Sequence, residues 1–251
     1  MAERILAFAG KGGVGKTSLS AAVIRILSET YPDKKILAVD ADPAVGLSTA
    51  LGLEPALTLD DVRLTIADAI DRGETATAVE LLGEARFHLA DCIVERGNVS
   101  FLAIGRPEAA GCYCKINAYL KQVIEMLAGN YDVVVIDGEA GVEQINRRVM
   151  EHITDLILVS DASRKGISVA GSIVDVASRL APEAKPGIIF NRVSPDFDPD
   201  SLPLLPPALA VIGDDKDQRD NDMRGESVFA LGNNAPLYLG AKAAVTKLME
   251  G

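Results

Sequence analysis

Gly10-Lys11-Gly12-Gly13-Val14-Gly15-Lys16-Thr17 constrains this chain more than any other segment of its length. It satisfies G-x-x-x-x-G-K-[ST] and stands between an apolar run, Ile5 to Ala9, and a helix-like stretch from Leu19 to Leu27. Strand, glycine-rich loop and helix in that order make a phosphate loop. The glycines let backbone N–H groups turn inward around a polyphosphate, and the helix N-terminus adds a favourable dipole. Lys16 is expected to reach the β- and γ-phosphates and the Thr17 hydroxyl to hold Mg²⁺, with Gly12, Gly13, Val14, Gly15 and Ser18 completing the cradle. Lys11 is a second lysine inside the loop, which the simple motif does not need.

Apolar runs alternate with longer amphipathic stretches from end to end. Strands are expected at Arg4 to Ala9, Lys35 to Asp40, Val99 to Ile104, Tyr131 to Asp137, Asp155 to Ser160, Gly187 to Asn191 and Leu209 to Ile212. Helices are expected at Thr17 to Thr30, Lys115 to Leu127, Gln144 to His152, Gly166 to Leu180 and Leu237 to Met249. Continuous Val/Ile/Leu runs suit strands buried on both faces, and the alternation predicts right-handed βαβ crossovers. The fold class is therefore α/β, a doubly wound, mostly parallel sheet with helices on both faces. At 251 residues the chain fits one such domain, spanning 1–251, with the proline-rich stretch Ser194 to Pro207 as a surface loop.

Two acidic groups leave carboxyl ends of strands, the edge where a doubly wound sheet binds ligands. One is Asp40-Ala41-Asp42-Pro43 and the other Asp137-Gly138-Glu139-Ala140-Gly141. Nucleotide hydrolysis needs a group that orients the attacking water and others around the Mg²⁺ ion. Asp42 suits the first role, Asp137 the second, with Asp40 nearby; the competing reading of each is a helix N-cap or turn aspartate. Gly138 and Gly141 flank Glu139, giving a backbone able to shift when a γ-phosphate arrives.

Lys11 with Lys16, the Asp-Pro after the second strand and the Asp137 segment together resemble the deviant Walker A ATPases, the group that includes MinD, ParA, the nitrogenase iron protein and metal-insertion ATPases. The resemblance runs from Arg4 to the last helix. It implies ATP or ADP as ligand, a nucleotide-driven homodimer, and a Lys11 that reaches across the two-fold axis to the partner's nucleotide. It also implies that Asn191 reads the adenine edge, since an amide offers both a donor and an acceptor. One departure bears on the base: Ile212 leads into Gly213-Asp214-Asp215, where the family often has a proline-containing segment.

Cys112 and Cys114 precede the expected Lys115 helix, where a helix N-terminus lowers thiol pKa values and makes better ligands. One pair supplies two soft donors, half of a four-coordinate site, and a two-fold axis through it would supply four. Buried structural cysteines, a redox pair and chance are competing readings. The segment Gly105 to Cys114, followed by Asp137 to Glu143, resembles CooC-type ATPases, the nickel-insertion factors for carbon monoxide dehydrogenase. By that resemblance Cys112 and Cys114 are nickel ligands, although thiolates also suit Zn²⁺ and Cu(I). Acetyl-CoA synthase is a second possible client. Cys92, His88 and His152 read as structural, and Tyr113 as interface or plain packing.

Composition separates the alternatives. A net charge of −11 disfavours a nucleic-acid partner, because phosphate backbones are held by clustered Lys and Arg. The stretch Leu237 to Gly251 carries only Lys242 and Lys247 with Glu250, a poor membrane anchor for a MinD-like role. An iron–sulfur reductase needs a cysteine after the switch segment, and no cysteine follows Cys114. No 18-residue apolar stretch and no signal peptide are evident, and the three cysteines suit a reducing compartment. The expected location is cytoplasmic, with no membrane partner.

Overall fold

Short runs of Val, Ile, Leu and Ala pair into one eight-stranded sheet, in a computed structural model that describes residues 2–42, 44–73, 90–105, 129–138, 153–202 and 205–250. The strands are β1 (Arg4–Gly10), β2 (Ile36–Asp40), β3 (Ile93–Arg96), β4 (Val99–Ala103), β5 (Val133–Asp137), β6 (Asp155–Ser160), β7 (Lys185–Phe190) and β8 (Ala208–Val211). Their order is β3-β4-β2-β5-β1-β6-β7-β8, parallel throughout except for the β3–β4 pair. All the expected strands form, with ends displaced by no more than two residues.

The described helices are α1 (Lys16–Thr30), α2 (Gly46–Leu51), α3 (Leu59–Asp71), α4 (Arg164–Leu180), α5 (Lys216–Arg224) and α6 (Pro236–Glu250). They divide between the two faces of the sheet. Leu6 and Phe8 of β1 pack into one core with α1, α2 and α6, while Ala7 and Ala9 pack into the other with α3 and α4. Side chains alternate across a strand, so a central strand with both cores above and below it must be apolar at every position. The expected doubly wound α/β fold is therefore the observed one.

Some elements carry little apolar signal. In β3, Ile93 and Val94 are half-buried while Glu95 and Arg96 are exposed, as suits an edge strand returning through the two-residue loop Gly97-Asn98. Helix α5 reads KDQRDNDMR and depends on its ends: Asp215 Oδ1 accepts from the Gln218 N–H at 2.9 Å, and Gly225 closes the other end. The expected helices Lys115 to Leu127 and Gln144 to His152 lie outside the described residues.

Gly10 shows how tightly the centre is built. Its φ is +150°, and a Cβ there would stand 2.2 Å from the Val159 carbonyl oxygen on β6. That obstacle is backbone and cannot swing away. Gly10→Ala is expected to destabilise the chain by roughly 3 kcal/mol or more, read as a lower urea midpoint. A midpoint equal to wild type would show that β1 and β6 separate freely.

Candidate nucleotide-binding site

Strand β1 lies between β5 and β6, and the chain winds outward on both sides from it, so the phosphate loop leaves the sheet at the topological switch point. Helix α1 begins at Lys16 with Gly15 as N-cap, no capping side chain and no acidic residue in its first turn. Nothing in that turn competes with an anion for the helix N-terminus. Lys16 is 8% exposed, and its Nζ donates to the carbonyls of Gly10 and Lys11, each at 3.3 Å. This curls the ammonium back over the loop. Val14 is buried, Gly12 and Gly13 are exposed, and Thr17 and Ser18 are half-buried at the loop's exit.

The acidic residues converge on the same edge. Asp40 and Asp137 occupy one register position at the ends of neighbouring strands, and both are buried. Asp40 Oδ1 accepts from the Asp42 N–H at 3.0 Å and Oδ2 from the Leu47 N–H at 2.9 Å. Asp40 thus shapes the turn that carries Asp42. Asp42 Oδ1 accepts from the Ala44 N–H at 2.9 Å, and a Cβ at Gly46 would stand 3.5 Å from Thr17 Cγ2, so this turn lies against the phosphate loop. Burial pushes the Asp40 carboxyl up to about 6, opposed by the Asp42 and Leu47 N–H groups and assisted by the Asp42 charge.

Asp137 is 1% exposed, and neither carboxylate oxygen has a hydrogen-bonding partner of good geometry. Burial pushes its pKa up to about 6, and the nearby Asp40 charge adds to this; the Thr17 and Ser20 hydroxyls and the Lys16 ammonium oppose it. A carboxylate taken out of water without donors is costly. A divalent cation held between Asp137 and the Thr17 hydroxyl is what such a carboxylate fits. When bound, Mg²⁺ supplies positive charge against a nucleotide's β- and γ-phosphates.

Lys11, the extra loop lysine, forms an ion pair with Asp161 at the end of β6: Nζ to Oδ2 is 2.9 Å, with Ser163 Oγ at 3.5 Å. Burial pushes Asp161 up, but the Ser163 hydroxyl, Lys11 and the Ser163 N–H outweigh it and leave the carboxyl below its ordinary range. Asn191, at the end of β7, is buried and donates from Nδ2 to the Val14 carbonyl at 2.8 Å. One of its two N–H groups is thereby tied to the phosphate loop. The approach needs a glycine at position 15, where φ is +92° and a Cβ would stand 2.6 Å from Asn191 Nδ2.

Several residues at the site escaped sequence reasoning. Asp161 and Ser163 follow a strand end, a position that carries its own signal. Arg192 donates to the Gly13 carbonyl at 3.1 Å, which nothing in sequence spacing indicates. Val45 and Arg192 are the non-glycine residues with positive φ among the described residues, at +51° and +57°, and both border this site. Strained backbone tends to collect at functional sites. The acidic pair after Ile212 is structural: Asp215 caps α5 and also accepts from the Leu237 N–H at 2.8 Å, while Asp214 is exposed and pairs with Arg219. Asp215 accordingly serves two helix starts and is not a free charge beside a base.

Cys92 is buried in the core, and burial pushes its thiol up to about 11, which makes it inert as expected. Cys112, Cys114, Tyr113, His88, His152, Glu139 and Gly141 lie outside the described residues. Among the described residues no cluster of three or more His, Cys, Asp or Glu is arranged to hold a metal. Among them also, no helix is long and apolar enough to cross a membrane.

A switch-point phosphate loop with a buried lysine and an orphaned carboxylate defines a P-loop nucleotide-binding protein. The sequence profile of the CobQ/CobB/MinD/ParA nucleotide binding domain matches residues 5–202, and the chain belongs to that family of P-loop ATPases. It is 32% identical over 251 residues to an uncharacterized ATP-binding protein of Methanocaldococcus jannaschii, covering 98% of each. It is 26% identical over 210 residues to the carbon monoxide dehydrogenase accessory protein CooC of Rhodospirillum rubrum, covering 74% of this chain and 78% of that one. Its fold is also that of the septum site-determining protein MinD from Pyrococcus horikoshii, solved with Mg-ADP. The TM-score there is 0.71 at 24% identity, over 99% of this chain and 96% of that one.

Proposed function

We propose that this chain is a nucleotide-driven, dimerising ATPase that carries nickel at its dimer interface for insertion into carbon monoxide dehydrogenase. The observation that carries the ATPase half is Asp137, a buried carboxylate with no hydrogen-bond donor of good geometry, beside Thr17, Ser20 and Lys16. In this reading Gly12 to Ser18 cradle the polyphosphate, Thr17 and Asp137, with Asp40 behind them, hold Mg²⁺, and Asp42 orients the attacking water. Asn191 contacts adenine, and Lys11 leaves Asp161 to meet the partner's nucleotide. Cys112 and Cys114 from two protomers supply four thiolates to the cargo ion. The likeness to CooC supports this half of the reading, and the same thiolates would accept Zn²⁺.

A MinD- or ParA-like positioning ATPase is the second reading, favoured by the shared fold. Against a membrane-bound version, α6 turns Leu237, Ala241, Ala244, Val245 and Leu248 into the core, and Lys247 bonds the Ala208 carbonyl at 2.8 Å. A client such as acetyl-CoA synthase would preserve the metal chemistry and change only the recipient.

Metal binding with and without ADP or ATP, alongside sedimentation, separates these readings. Wild type is expected to bind about one nickel per dimer through four shared thiolates, and a Cys112→Ser/Cys114→Ser variant to lose it while still dimerising. A variant that binds nickel as well as wild type removes the metal-carrier reading. Nucleotide-dependent dimers without metal in either protein would favour the positioning ATPase.

A further inference from the structure

We propose that Arg192 is a positioning residue for the polyphosphate, acting through the backbone of the phosphate loop. With Asn191 it forms a two-pronged latch: Asn191 Nδ2 donates to the Val14 carbonyl at 2.8 Å, and Arg192 Nη1 donates to the Gly13 carbonyl at 3.1 Å. These are successive peptide units of the loop, and no peptide bond among the described residues is cis. In a planar trans peptide the N–H points opposite to the C=O. Holding the Gly13 and Val14 carbonyls toward β7 therefore turns the Val14 and Gly15 N–H groups to the other side, into the cradle where successive backbone donors bind an anion.

Arg192 makes its bond from a backbone that non-glycine residues avoid, with φ at +57°. The same backbone would be relaxed in a glycine. Asn191 anchors the latch through its own N–H, which donates to the Ser160 carbonyl at 2.8 Å. The sheet end at β6 and β7 thus sets the orientation of loop peptides that no local interaction determines. Because the latch acts on the phosphate cradle, its effect is on polyphosphates of any base. This rests on the phosphate-loop reading of the site.

Calorimetric titration of wild type, Arg192→Gly and Arg192→Lys with MgADP and with magnesium tripolyphosphate tests the latch, together with thermal melts of each protein. Arg192→Gly is expected to bind both ligands about tenfold more weakly, the lower end for loss of one charge-assisted hydrogen bond. Its melting temperature should hold or rise, because glycine adopts the left-handed backbone without strain. Arg192→Lys should recover part of the affinity. Stability and binding moving in opposite directions is a signature that a merely structural arginine would not produce. Unchanged tripolyphosphate affinity in Arg192→Gly overturns the proposal, as does a loss confined to MgADP, which would make Arg192 a base contact. A wild type that binds neither ligand overturns the phosphate-loop reading itself, and the latch with it.

Discussion

Lys11→Ala is expected to lower ATP turnover by about a thousandfold, the scale of a trans-acting cation on a transferring phosphoryl group, while nucleotide affinity changes by no more than about threefold. The asymmetry follows from where the two lysines sit. Lys16 is buried over the loop and held by the Gly10 and Lys11 carbonyls, so it belongs to the ground-state cradle. Lys11 is partly exposed and paired with Asp161, whose side chain is 31% exposed. An ion pair that open to water is worth less than about 1 kcal/mol, so a partner's nucleotide can readily draw Lys11 away. Single-turnover hydrolysis and equilibrium binding of a fluorescent nucleotide measure the two effects separately. Undiminished turnover in Lys11→Ala would leave the extra lysine without a catalytic role.

Asp137→Asn is expected to make the nucleotide-free protein more stable at neutral pH and to abolish Mg²⁺-dependent hydrolysis. The Asp137 carboxyl is raised from its ordinary 3.8 to about 6, chiefly by burial. The folded chain then binds the proton more tightly than the unfolded chain. Its ionisation costs nothing below the unfolded pKa and costs most above the folded one, so stability falls as pH rises from about 4 to about 6. A shift of this size corresponds to roughly 3 kcal/mol as an upper figure. Asparagine removes that penalty and with it Asp137's share of the pH slope; Asp40, also raised to about 6, keeps its own. At pH 7.5 the melting temperature should rise, by up to about 6–12 °C at roughly 2–4 °C per kcal/mol for a chain of this size. Melts from pH 4 to 8 with and without Mg²⁺, beside turnover assays, decide the matter. A variant less stable than wild type at pH 7.5, or one that still hydrolyses ATP with Mg²⁺, contradicts the assignment of Asp137 to the metal.

The central strands that sequence reading recovered share one property: they are buried on both sides. Strands such as β1, β5 and β6 must be apolar at every position, and that run is visible without a partner. The strand missed, β3, is an edge with two exposed residues; of the helices missed, α2 has six residues, α5 is almost wholly polar, and α3 is missed although Val62, Ile66 and Ala67 are buried in a core. The stability of β3 and α5 comes from a hairpin loop and from caps, which are single-residue signals. The Cys112–Cys114 reading stands on the resemblance alone.

Within the site, the spacing of Gly10 to Thr17 and the acids at Asp40, Asp42 and Asp137 already pointed to a polyphosphate and a divalent cation at one sheet edge. Local order along the chain suffices there, because loop, helix start and strand ends are each built from consecutive residues. Only the tertiary structure decided what holds these groups in place: Asp40 taken up by its own turn, Lys11 resting on Asp161, and Asn191 and Arg192 gripping the loop from β7. The last two join residues more than 140 positions apart, and a contact of that kind exists only once β6 and β7 have docked beside β1. Sequence spacing carries no record of such a contact, because sheet order sets it.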